Sequence, residues 1–171
     1  DEAWNLGLRI LVVAVGVDDE VGAELEARID AHPERRRQPA RAPQRDDVIV
    51  FVYPQDPSKD FIKRVKGLPG ETIEIRNKVL YVNGQAVKDD NAFYEGTPER
   101  MARAPRDNFG PFLIPEGTVF VMGDNRDHSH DSRFWGTVPI DDILGKAFVL
   151  YWSWDSKEFS PRWSRLGMLI P

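Results

Sequence analysis

The chain has 171 residues, 41% hydrophobic and 30% charged, with a net charge of −5. That balance fits one globular domain, excludes a disordered chain, and lacks the basic face a general nucleic-acid binder needs. The absence of cysteine excludes disulfides, thiolate metal sites and a cysteine nucleophile.

Leu6 to Val17 predicts a strand. Its apolar part, Ile10 to Val17, falls far short of the roughly 20 residues that span a bilayer, so no transmembrane anchor is expected in it. Arg9 is its only basic flank and no small-residue cleavage site follows, so it does not read as a signal peptide. Asp18 to Ala31 predicts a helix, with Val21, Leu25 and Ile29 spaced by four on one face. His32 to Arg45 has no apolar face and reads as a linker, whose basic run also suits anionic lipid. The composition breaks at its end. Residues 1–45 carry seven Arg and seven Ala but no Lys, Ser, Thr, Phe or Tyr, and all five absent types appear from Asp46 onward. We therefore expect an atypical N-terminal segment, 1–45, and a β domain, 46–171.

Short strands with turn chemistry between them make up the β domain. Val48 to Tyr53 is a continuous apolar run closed by Pro54. Phe61 to Lys66 is a second strand, closed by Gly67-Leu68-Pro69-Gly70. Thr72 to Arg76 pairs with Val79 to Val82 across Asn77-Lys78, and Asn83-Gly84 signals a hairpin into Gln85 to Val87. Residues 88–110 are polar and read as an inserted loop. Phe112 to Ile114 and Thr118 to Met122 predict a further hairpin across Pro115-Glu116-Gly117, and Lys146 to Trp154 a late strand. The spacing argues for an antiparallel all-β barrel or coiled sheet. Trp152, Trp154 and Trp163 suit either the core or a lipid interface.

Two stretches carry chemistry. On the second strand, alternation puts Phe61, Lys63 and Val65 on one face, and Ile62, Arg64 and Lys66 on the other. An apolar setting pushes a lysine toward its neutral form. Lowering its pKa from about 10.4 to about 7.5 costs about 4 kcal/mol, a cost seldom kept without function. From the pattern alone, a lysine on a half-exposed strand is the simpler reading. The second stretch runs from Met122 through Gly123-Asp124-Asn125-Arg126-Asp127-His128-Ser129-His130-Asp131-Ser132-Arg133-Phe134-Trp135 to Gly136. Such a density of hydrogen-bonding types fits a site that holds several side chains in fixed geometry. Its His-x-His pair, with Asp124, Asp127 and Asp131, also permits a zinc reading; solvent-facing histidines are the plainer one.

Together, Lys63-Arg64-Val65-Lys66-Gly67-Leu68-Pro69-Gly70 and the Gly123–Gly136 box closely resemble the type I signal peptidases, serine/lysine endopeptidases that remove signal peptides. Arg45-Asp46-Asp47 followed by Val48 to Phe51 is similar to a third family box, Arg-Gly-Asp, with Asp46 in place of Gly. His128 stands where the family usually has Asn. The resemblance runs from Arg45 to the end and implies a coiled β-sheet fold of the signal peptidase I type. It implies Lys63 as general base and Ser129 as the serine that hydrogen-bonds it. It also implies site support from Arg64 with Asp124 and from Asp131 with Arg133. It implies no metal or organic cofactor, signal peptides of exported preproteins as partners, and the extracytoplasmic (periplasmic) face of a bacterial inner membrane as the location.

The family's nucleophile box, Ser-x-Ser-Met-x-Pro-Thr-Leu or a close variant, is absent ahead of Lys63. Tyrosine aside, the only hydroxyl among residues 1–62 is Ser58, which matches no nucleophile context. The oxyanion hole belongs to the same box. The Lys-free, Arg/Ala/Pro-rich residues 18–45 resemble GC-rich coding sequence read out of frame; loss of catalysis or replacement of the segment leaves the same trace. Three functions follow: the peptidase, a non-catalytic peptide-binding module, and a self-cleaving repressor relative, which no DNA-binding helix pair supports.

Overall fold

The computed structural model describes residues 11–17, 42–94, 105–155, 160–161, 163 and 167–170. The expected helix, 18–31, and nearly all of the linker lie outside them, as do residues 95–104 of the expected loop. Eleven strands, one four-residue α-helix and a short 3-10 turn (Ile140–Asp142) make up the regular elements of the described part: β1 (Leu11–Val17), β2 (Val48–Val52), β3 (Asp60–Gly67), β4 (Thr72–Arg76), β5 (Val79–Val82), β6 (Gln85–Ala86), β7 (Phe109–Leu113), β8 (Thr118–Met122), α1 (Ser132–Trp135), β9 (Val138–Pro139), β10 (Ile143–Asp155) and β11 (Ser160–Pro161). They form two sheets, one ordered β1-β10-β2-β3-β8-β9 with β11 on β10, the other β6-β5-β4-β7. The fold is all-β and almost wholly antiparallel; β1 and β10 run parallel.

The continuous apolar runs are strands buried on both faces. In β8, Val119 and Val121 enter one core with Ile49, Phe51, Val65, Val138 and Ile143, while Phe120 and Met122 enter a second with Ile73, Ile75, Leu80, Val82 and Ile114. In β2, Ile49 and Phe51 face the first core, and Val48 and Val50 a third with Ala147. A strand with solvent on one side alternates apolar with polar; a run without alternation is what two packed faces require.

Turn chemistry sets the register of the small sheet. Asn83 (φ 51°) and Gly84 (φ 79°) both take left-handed backbone, which the tight two-residue turn between β5 and β6 demands. Asn77 (φ 48°) and Lys78 (φ 70°) repeat this between β4 and β5.

One expected hairpin does not form. β7 pairs with β4, and β8 with β3 and β9, so Pro115-Glu116-Gly117 carries the chain from one sheet to the other. The turn residues reverse the chain locally, but Phe112 of β7 and Phe120 of β8 pack against the same core from strands that belong to different sheets. The expected loop also ends early, because Phe109 and Gly110 already belong to β7. Of the C-terminal tryptophans, Trp163 is exposed; the side chains of Trp152 and Trp154 lie outside the description.

Candidate active site

Lys63 lies opposite Ile49 in the β2–β3 ladder, on the face that Phe61 and Val65 share. Its Nζ stands 5.7 Å from the Phe61 ring centroid. Among the described residues it makes no hydrogen bond or ion pair. Burial pushes its pKa down; Asp131 and Asp124 pull the other way and Arg133 adds to the lowering.

Ser129 is 5% exposed, and its Oγ has no hydrogen-bond partner of acceptable geometry. It sits near enough to Asp131 to favour that carboxylate's charged form. Gly123 brings Lys63 and Ser129 together. A Cβ there would lie 2.3 Å from Ser129 Oγ, 2.6 Å from Ser129 Cβ and 3.8 Å from Lys63 Cδ. The serine side chain therefore packs directly over the bare Cα of Gly123 with the lysine stem nearby, leaving no room there for a larger residue, and the expected hydrogen bond between Lys63 and Ser129 is not formed.

The other box residues form two charge-paired anchors. On the opposite face of β3, Arg64 donates to Asp124 through two parallel bonds, Nε to Oδ1 at 2.9 Å and Nη2 to Oδ2 at 2.8 Å. Arg64 also donates to the Asp46 carbonyl at 2.9 Å. Deeper in, Arg133 donates to Asp131 through Nε (2.8 Å) and Nη2 (2.9 Å), and to the carbonyls of Arg106 (2.9 Å) and Arg126 (2.8 Å). Asp131 caps α1 by accepting from the Arg133 N–H (3.2 Å), and it accepts from the Gly123 N–H (3.0 Å). Burial opposes its charge, but the Arg133 hydrogen bonds, the Arg133 charge and the Gly123 N–H outweigh that and hold its pKa below the usual carboxylate range. Ser132 Oγ accepts from the Val121 N–H at 3.0 Å, tying the helix to β8.

The turn after β3 is closed by Glu71, which accepts from the Leu68 N–H (2.7 Å) and from Arg45 Nη2 (2.6 Å). No group of three metal-ligating side chains occurs among the described residues. His130 is exposed and packs on Phe134 (5.4 Å) and near Tyr53 (6.4 Å). Ser58 is exposed in the β2–β3 turn, its Oγ donating to Asp56 at 2.6 Å. Lys63 lies three residues beyond the start of β3, about 10 Å along the strand.

Sequence reasoning missed Arg126, Asp89, Lys66 and Arg106 as parts of this cluster. Arg126 sits inside the box and was open to notice. Asp89 sits in a polar stretch with no periodicity, and nothing local marks it.

Residues 7–152 match the family described as signal peptidase, peptidase S26. The chain belongs to this signal peptidase family. The match begins well upstream of Arg45, so the family relationship extends into the compositionally atypical segment. A signal peptidase I of Pseudomonas aeruginosa is 37% identical over 163 residues, covering 77% of this chain and 57% of that protein. One of Leptolyngbya laminosa is 40% identical over 117 residues, covering 64% and 53%. A crystal structure of a signal peptidase I from Enterococcus faecalis is 34% identical, with a TM-score of 0.49, covering 62% of this chain and 97% of that one. This family member spans somewhat over half the length of the curated relatives it matches.

Proposed function

We propose that this domain is built to bind the signal-peptide region of exported preproteins and to hydrolyse it by a serine/lysine mechanism, with Lys63 as general base. The observation that carries the reading is the half-buried Lys63 side chain, its amine 5.7 Å from the Phe61 ring and without an ion pair among the described residues, with its stem near the Gly123 Cα over which the unpartnered Ser129 hydroxyl packs. A neutral amine takes the proton of a serine hydroxyl as that oxygen attacks the scissile carbonyl, and returns it to the departing amine. Ser129 orients the lysine. Asp131–Arg133 and Arg64–Asp124 hold the two segments that carry the pair. The substrate binds as an added strand along a sheet edge, at the extracytoplasmic face of a bacterial inner membrane, and no cofactor or nucleic acid takes part. No described helix is long and apolar enough to cross a membrane.

Residues 1–62 hold no serine in the sequence context this mechanism needs. Ser58, the one non-tyrosine hydroxyl ahead of Lys63, is engaged by Asp56. Loss of a serine nucleophile costs on the order of a millionfold in rate. That favours a second reading for this chain, a peptide-binding module that does not cut. Both are tested by incubating a preprotein with the chain and with a graft carrying Ser-Met-x-Pro-Thr in place of residues 16–44. The expected result is no cleavage by the chain, and cleavage by the graft that Lys63→Ala abolishes. Lys63-dependent cleavage by the unaltered chain would refute its inactivity. A folded graft that does not cut would refute the general-base assignment.

A further inference from the structure

Gly123 is held through both its N–H and its carbonyl by side chains of the box. Its N–H donates to Asp131 within the box (3.0 Å), and its carbonyl accepts from Arg126 Nε (3.1 Å). Arg126 is 2% exposed, and its Nη2 is ion-paired with Asp89 Oδ2. The other Asp89 oxygen accepts from Lys66 Nζ at 2.7 Å, on the strand that carries Lys63. Asp89 belongs to neither motif. It opens a segment laid along the box by two backbone bonds, Phe93 N–H to Asp124 O (2.8 Å) and Arg126 N–H to Phe93 O (2.9 Å).

This carboxylate ties Lys66 of β3 to Arg126 of the box. Burial opposes its charge, but Lys66 and Arg126 outweigh that and hold it ionised. Removing it leaves two buried cations short of compensation, and beyond the Gly123 carbonyl Arg126 then keeps only the long contact to the Tyr94 hydroxyl (3.5 Å) among its side-chain partners in the described residues.

We propose that Asp89 is a positioning residue for the Lys63–Ser129 pair, acting through Arg126 and the Gly123 carbonyl. The inference rests on the reading of Lys63 as base given above. Ser129 Cβ lies 2.6 Å from where a Gly123 Cβ would stand. Gly123 packs against Ser129 and lies near the Lys63 stem, so a displacement of Gly123 disturbs the placement of both side chains.

Two effects of removing Asp89 have opposite sign. Loss of a negative charge by itself favours a neutral lysine. Loosening of Gly123 lets water reach the amine and favours its protonation. The charged groups that act on Lys63 are Asp131, Arg133 and Asp124, and Asp89 is not among them. The positioning effect should therefore dominate.

The experiment uses the full chain, the Asp89→Asn and Asp89→Glu variants, and a control, Leu80→Ala, in the core of the small sheet. Two quantities are read: the pH midpoint of Lys63 labelling by acetic anhydride, followed by peptide mass spectrometry, and hydrogen exchange at the Gly123 amide. Asp89→Asn should raise the midpoint, lowering the neutral fraction of Lys63 below it by about tenfold for each pH unit, and should speed Gly123 exchange at least tenfold. Asp89→Glu keeps both charges and the fold, and should shift both readouts the same way by less. Leu80→Ala should lower Tm and move neither. Unchanged Gly123 exchange in both Asp89 variants would overturn the proposal, as would an equal response to Leu80→Ala. A parent chain in which Lys63 titrates near the ordinary lysine value of about 10.4 would instead refute the general-base reading, while the Gly123 exchange still decides whether Asp89 positions the box.

Discussion

Replacing Gly123 by alanine tests the geometry of the site without touching a charged group. The new methyl would meet Ser129 Oγ at 2.3 Å and Ser129 Cβ at 2.6 Å, where ordinary contact begins near 3.4 Å. The hydroxyl clash can be relieved by rotating the serine side chain. The Cβ clash cannot, because it moves only with a backbone whose Ser129 carbonyl is held by Arg106 at 3.2 Å and whose neighbour Asp131 is locked to Arg133. Overpacking of this kind costs about 1–3 kcal/mol, against about 0.4–1 kcal/mol gained by stiffening the unfolded chain, so destabilisation wins. At about 2–4 °C per kcal/mol for a chain of this size, Tm should fall by a few degrees and at most by about 10 °C. The decisive arms are the double variants. Gly123→Ala with Ser129→Ala keeps the offending Cβ and should not recover. Gly123→Ala with Ser129→Gly removes it and should recover, giving a coupling of about 1 kcal/mol or more in a double-mutant cycle of thermal unfolding. Additive costs in that cycle would show that Ser129 does not lie over Gly123, and the pairing with Lys63 would go with it.

Ser129→Ala alone should leave stability unchanged or raise it by up to about 1 kcal/mol in urea unfolding, because a buried hydroxyl without a good partner contributes little to folding. Asp131→Asn should cost about 3–5 kcal/mol at pH 7 by stranding the buried Arg133. Because the folded Asp131 pKa is depressed, its contribution is present above an unfolded value of about 3.9 and is lost as pH falls through the folded one; the variant should therefore show a flatter acid limb in urea midpoints between about pH 5 and 2. Lys63→Met should raise Tm at pH 7, since burial lowers the folded lysine pKa below its unfolded value and the parent fold bears the cost of that shift throughout the range below the unfolded pKa. The advantage should shrink as pH approaches about 10.4, and a Tm difference independent of pH would refute a depressed Lys63.

What sequence reasoning could reach was whatever a local period or a turn rule controls. Alternation on β3 put Lys63 and Arg64 on opposite faces, which is how they lie, and Asn83-Gly84 marked a real turn. Pairing between distant segments was not legible. Pro115-Glu116-Gly117 signals a reversal, but not that β7 and β8 join different sheets, and nothing in Leu11–Val17 foretells a parallel partner at the far end of the chain. Asp89 escaped for the same reason: a carboxylate in a polar stretch acquires its role only when folding sets it between Lys66 and Arg126.

Asp46 occupies a left-handed backbone conformation, φ 70°, at the position where the family box carries glycine. Its N–H donates to the Val65 carbonyl (2.9 Å), its own carbonyl accepts from Arg64 (2.9 Å), and its side chain accepts from Lys66 (2.6 Å). A left-handed residue with a Cβ carries a cost of about 1 kcal/mol, somewhat less for aspartate, and here the ion pair to a buried ammonium offsets it. Restoring glycine alone would relax the backbone but take one of two carboxylates from Lys66. Replacing Lys66 alone would leave a strained aspartate with nothing to hold. The two residues therefore form one energetic unit, in which the cost of changing either depends on whether the other is present.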